Sequence, residues 1–116
     1  MDERTNRSVE AFLNEVAHQN ADLVTAYLFG SFAQGKQKRE SDIDLALVIR
    51  HLTEDERFDV QVQLMMLAAD FDTRIEPHPI AAEDFNSGNS FAIEIKNTGT
   101  ELRPWLSEQK TSLTIN

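Results

Sequence analysis

Near the start of the chain, apolar residues recur at helical spacing. In residues 7–19, RSVEAFLNEVAHQ, Val9, Phe12, Leu13, Val16 and Ala17 fall at i, i+3, i+4, i+7 and i+8, one stripe of an amphipathic helix. The pattern then changes. ADLVTAYLFG is a dense apolar run rich in strand formers, bounded by Asn20 and Gly30, and it predicts a buried strand over about residues 23–29. SDIDLALVIR alternates with period two and predicts a second strand over about residues 42–50. Ile43, Leu45, Leu47 and Ile49 share one face of it; Asp42, Asp44, Ala46 and Val48 share the other.

LTEDERFDVQVQLMMLAADF opens with Thr53 and Glu56 at capping-box spacing, with further acids in the first turn. Its buried face is expected to be Phe58, Val62, Met65, Met66 and Ala69, with the two methionines as core filler. FDTRIEPHPI predicts a third strand over about residues 72–78. Pro77 and Pro79 cannot donate to a ladder, so its late part must lie at an edge or leave the sheet. SFAIEIKNTG predicts a short helix with Phe91, Ala92 and Ile95 inward and Gly99 at its end. TELRPWL is a candidate fourth strand, with Trp105 packing the C-terminal segment down. No repeat, low-complexity tract or linker interrupts the chain. The expectation is one α/β (α+β) domain over residues 1–106, a small mixed sheet of three or four strands packed with helices, followed by a polar tail at 107–116.

Composition narrows the function. The 116 residues suit one ordinary domain, and a hydrophobic content of 41% suits a folded one. No apolar run approaches the roughly 18 residues of a membrane span. The charged start, MDERTNRSVE, lacks the apolar segment of a secretion signal, so a cytoplasmic location is expected. The absence of cysteine removes disulfides, thiolate metal sites and cysteine nucleophiles together. A formal charge of −9 argues against a general nucleic-acid binder, whose surface is usually basic. Lys36, Lys38 and Arg39 stand together against that background. They are either a solvated loop or a local site for an anion.

The chemistry concentrates in LFGSFAQGKQKRESDIDLALVI, residues 28–49. Asp42 and Asp44 point the same way from neighbouring pleats, with Cα atoms roughly 6.5–7 Å apart. Two carboxylates that close repel unless a cation sits between them. Hard divalent cations take such oxygen ligands and keep substrate phosphates in their shell. The Gly30-Ser31 turn offers free backbone N–H groups and a hydroxyl that suit phosphate oxygens. Ser31 also fits as cap of a short helix at 32–34 closed by Gly35; as a hydrolase nucleophile it is poor, because FGSFA lacks the second glycine of a nucleophile elbow.

Gly30-Ser31, ten intervening residues and then Asp42-Ile43-Asp44 resemble the signature of the DNA polymerase beta-like nucleotidyltransferases, and the small size resembles their minimal branch. The likeness includes Phe29, Ala33, Gly35 and Ser41, and the order of elements over residues 8–103. It implies a polymerase beta-like nucleotidyltransferase fold. It also implies that Gly30 and Ser31 hold the nucleotide phosphates, with Lys36, Lys38 and Arg39 as candidates to guide the triphosphate. Asp42 and Asp44 would bind the catalytic metals, two Mg²⁺ ions with Mn²⁺ as an alternative. A third carboxylate on a later strand normally completes the site and helps activate the attacking hydroxyl. The candidates are Glu76, favoured, and Asp72. A glutamate where the family often has aspartate is a departure.

The resemblance further implies transfer of AMP from ATP to a hydroxyl. Minimal members are often antitoxins that adenylylate a tyrosine of a HEPN-domain toxin, or neutralise it by forming a complex. Relatives that modify aminoglycosides carry an extra helical substrate domain, so a protein acceptor is favoured here over a small molecule. The alternative is a module that binds nucleotide or masks a toxin without catalysis. Arg74 is expected on the face of Glu76, as an ion-pair partner or a site residue. His78 is expected as a strand-edge histidine, with contact to metal or substrate as the alternative. His18 sits at a helix end and His51 in an exposed connection.

Overall fold

In the computed structural model, which describes residues 1–38 and 40–105, the chain runs α1 (Glu3–Gln19), β1 (Leu23–Phe29), β2 (Ile43–Ile49), α2 (Glu54–Ala68), β3 (Ile75–Ala81), α3 (Ala82–Asn86), α4 (Ser90–Thr98) and β4 (Thr100–Leu102). The strands form one mixed sheet in the order β3-β2-β1-β4. β1 pairs antiparallel with β2 and with β4, while β2 and β3 run parallel. The α+β architecture expected from the sequence, a small mixed sheet packed with helices, is therefore present. Arg39 and the polar tail at 107–116 lie outside the described residues. No helix among the described residues is long and apolar enough to cross a membrane.

α1 begins four residues earlier than the apolar stripe suggests. Asp2 caps it, its carboxylate accepting the Thr5 N–H at 2.7 Å. Val9, Phe12, Leu13 and Val16 of its stripe are buried. They meet Ile43, Leu45, Leu47 and Ile49 of β2, Leu64 and Ala68 of α2, and Trp105. On the other face Ala46 and Val48 pack with Ala82, Phe85, Ala92 and Ile95 of α3 and α4. β2 is thus buried from both sides, which accounts for its nearly unbroken apolar run. In β1 the register shifts between Leu23 and Thr25. This irregularity lets Leu23 and Ala26, three residues apart, join the same core, while Val24 packs on the other side.

Three expectations are corrected. The third strand starts at Ile75, not near residue 72, and continues through both prolines to Ala81. It can do so because β3 is the edge strand: Pro77 and Pro79 stand opposite Leu45 and Leu47 with no outer ladder to supply. The capping box of α2 forms as read, but the helix buries a different face. Leu64 and Ala68 are buried with Val60, Leu67 and Phe71 packed against them, whereas Phe58 and Met66 are 72% and 70% exposed. Val62, Met65 and Ala69 are exposed too, so the methionines are not core filler. Two helical stripes compete in this sequence, at Phe58-Val62-Met65 and at Val60-Leu64-Leu67, and spacing alone does not rank them. In α4, Ala92 and Ile95 face inward but Phe91 does not; its ring packs edge-on against Phe29 at 5.7 Å. α3, a single turn capped by no side chain, carries no sequence signal.

Gly99 closes α4 where it meets β1. A Cβ there would stand 2.7 Å from the Ile95 carbonyl oxygen and 2.9 Å from that of Leu28, both backbone atoms with little room to yield. Gly99→Ala is expected to lower stability by about 1–3 kcal/mol, read as a shift of the urea midpoint at unchanged slope.

Candidate active site

β1 ends at Phe29 and the chain turns sharply at Gly30, whose φ is +74°. A β-carbon on Gly30 would lie 2.5 Å from Oδ2 of Asp44. The residue is glycine for two reasons at once: the backbone is left-handed, and a carboxylate occupies the space a side chain would need. Residues 31–35 form successive turns rather than the short helix expected. The Gln34 N–H donates to the Gly30 carbonyl at 3.2 Å, and the Lys36 N–H to that of Ser31 at 2.9 Å. The connection stays short of a helix because Gly35, at φ +70°, reverses it. Phe32 is buried in the core and anchors the loop. Ser31 is partly exposed; Lys36 and Lys38 are exposed and make no ion pair among the described residues.

The carboxylates come together across two parallel strands. Asp42 lies just before β2 and is exposed; Asp44 lies in β2, opposite Phe29 on one side and Glu76 of β3 on the other. Burial, followed by a hydrogen bond with Asp42, pushes the Glu76 carboxyl above the usual carboxylate range. The negative charges of Asp44 and Asp42 add to the effect, and His78 opposes it. Without a cation, Glu76 therefore holds its proton more tightly than a free glutamate. His78 Nε2 stands 3.2 Å from Oδ1 of Asp44 and 3.8 Å from Oε1 of Glu76. One ligand atom from each of Asp44, Glu76 and His78 lies within 4.8 Å of the others. Two residues farther along the same face of β3, His78 was within reach of the period-two count; the count placed it beside Glu76 but not against Asp44.

Asp72 is elsewhere. It precedes β3 and pairs with Arg74, Nη2 to Oδ2 at 2.7 Å. Arg74 also donates to Thr5 Oγ1 at 2.9 Å and lies 5.8 Å over the Phe32 ring. Asp72 and Arg74 line a cavity of about 480 Å³ beside α1 with Asp2, Thr5 and Phe71. His18 and His51 are exposed and apart from these groups; His51 has a φ of 63° in the turn after β2.

The sequence profile of the family described as "Polymerase beta, Nucleotidyltransferase" matches residues 12–102. The chain belongs to that family and is a nucleotidyltransferase. A comparison with curated proteins gave no match. Among solved structures, a nucleotidyltransferase candidate from Sulfolobus solfataricus is 22% identical, covering 82% of this chain and 76% of that one with a TM-score of 0.60. A toxin–antitoxin structure with AMP-PNP is 24% identical over 91% of this chain and 86% of that one, with a TM-score of 0.55. A mutant of the toxin–antitoxin MntA–HpeT is 25% identical over 81% of this chain and 71% of that one, with a TM-score of 0.53.

Two outcomes follow from this geometry. Gly30→Ala displaces the Asp44 carboxylate and is expected to lower nucleotidyl transfer about 100-fold while circular dichroism shows a folded protein. Hydrogen bonds from Arg74 hold the Asp72 carboxyl below its ordinary value, so its contribution to stability is full above the unfolded pKa and is lost as pH falls through the lower folded one. Melting curves between about pH 2 and 5 should therefore show a shallower acid loss for Asp72→Asn than for the parent.

Proposed function

We propose that this protein transfers AMP from ATP to a hydroxyl of a partner protein, and that the partner is a HEPN-type toxin modified on tyrosine. The observation that carries the reading is the placement of three carboxylates, Asp42, Asp44 and Glu76, beside the left-handed turn at Gly30. Two support a protein acceptor. Solved relatives of the same fold are toxin–antitoxin structures, one of them with AMP-PNP. The second is α2, which leaves Phe58, Val62, Met65 and Met66 exposed along one side. Such a stripe is a common mark of a protein contact. Glu54, Asp55 and Asp59 flank it, so the matching surface on the toxin is apolar with a basic rim.

The donor set fits the cations that the family implies. Asp42, Asp44 and Glu76 offer hard oxygen ligands, and burial with like charge leaves Glu76 short of a counter-charge. Divalent ions held there supply charge neutralisation for the triphosphate and for the oxygens of the displacement. The protein's own groups do the rest. The N–H groups of the turn after Gly30 and the Ser31 hydroxyl bind the phosphates, with Lys36, Lys38 and Arg39 drawing the triphosphate in. Glu76, set across the strand pair from Asp44, takes the proton of the acceptor hydroxyl. The acceptor oxygen then bonds to the α-phosphorus, the bond from that phosphorus to the bridging oxygen breaks, and pyrophosphate leaves. Positioning accounts for most of the acceleration.

The test is label transfer from ATP carrying its label on the α-phosphate, with Mg²⁺ and the candidate toxin. Label should appear on the toxin from α-labelled but not γ-labelled ATP, and Asp44→Asn should lower the rate at least about 100-fold while leaving toxin binding intact. Toxin bound and neutralised with no label on it would instead identify a masking module.

A further inference from the structure

The cation site contains a nitrogen that the carboxylate scheme does not use. His78 projects from β3 on the same face as Glu76, and its Nε2 stands 3.2 Å from Oδ1 of Asp44 and 3.8 Å from Oε1 of Glu76. Neighbouring ligands around an ion with bonds of roughly 2.1 Å stand about 3 Å apart, so these separations are those of atoms able to share one ion. The imidazole is held by packing as well. The Phe29 ring lies edge-on to it at 5.3 Å, and Phe91 in turn supports Phe29 at 5.7 Å. Phe29 is the residue opposite Asp44 on β1, so one short stretch of sheet fixes both the acid and the imidazole.

We propose that His78 Nε2 is a direct ligand of the ion held by Asp44 and Glu76, and that this nitrogen makes the site prefer Mn²⁺ to Mg²⁺. The inference rests on the transferase reading only in placing a divalent cation at these carboxylates. Mg²⁺ is a hard ion that favours oxygen and dehydrates reluctantly. Imidazole is a borderline donor that gains more from first-row transition ions, and a mixed nitrogen–oxygen set therefore shifts selectivity toward them. The competing role for His78 is that of a cationic partner for Asp44, vacating the contact when an ion enters.

The experiment uses the full chain with Mn²⁺ alone, without nucleotide or toxin. Pulsed electron paramagnetic resonance of the bound ion should show coupling to a directly coordinated ¹⁴N, and His78→Gln should abolish it. Calorimetric titration of Mn²⁺ and of Mg²⁺ should show the affinity ratio between them falling at least about tenfold in His78→Gln. Bound Mn²⁺ without nitrogen coupling, coupling that survives in His78→Gln, an unchanged affinity ratio, or no Mn²⁺ binding at millimolar concentration would each overturn the proposal. Its failure is separate from that of the function: Mg²⁺-supported AMP transfer by a protein whose bound Mn²⁺ sees no nitrogen leaves the transferase intact and removes only the histidine ligand.

Discussion

Asp44 lies in the space where any residue other than glycine at position 30 would carry its β-carbon. That contact ties the turn after β1 to the carboxylate of β2. Parallel pairing then sets the same carboxylate opposite Glu76. A cluster of like charges does not hold itself together; burial first, with the charges of Asp44 and Asp42 adding to it, raises the proton affinity of Glu76. The cluster persists because the surrounding sheet leaves no alternative. β2 is packed on both faces, Phe32 pins the turn, and a one-residue slip of either flanking strand would exchange the side chains of its two faces.

The sheet edge has its own logic. β3 carries its acidic and imidazole side chains on one face and its prolines on the other, Pro77 and Pro79 being buried toward the α1–α2 core side. A proline in a central strand would break the ladder; at the edge it removes donors from the free side, which discourages pairing with another chain. Gln61 of α2 donates to the Pro77 carbonyl at 3.3 Å, so part of that edge is already covered. The outward side of α2 leaves Phe58 and Met66 exposed to solvent.

Strand periodicity carried most of the site. Alternation in SDIDLALVIR placed Asp42 and Asp44 together, and Gly30 ahead of it marked the turn that meets Asp44. These signals are local: a two-residue repeat and a residue able to take positive φ are visible in a few letters. Helix faces were less legible. α1 has one apolar stripe and was read correctly, whereas α2 has two, and the choice between them fell to the groove beside β3. FDTR looks extended but closes a turn ahead of β3, the Ile75 N–H donating to the Asp72 carbonyl and the Arg74 N–H to its carboxylate.

The sequence by itself determined the order of the longer elements, the alternating faces of β2 and the family resemblance, because each depends on spacing within one segment. Only the tertiary structure decided that Glu76, and not Asp72, stands across from Asp44, that His78 reaches the same carboxylate, and that Gly30 is required by Asp44. The first two depend on pairing between residues more than thirty positions apart, and the third on the pairing of β1 with β2. Register across a sheet is fixed by the packing of both its faces, a property no single segment contains.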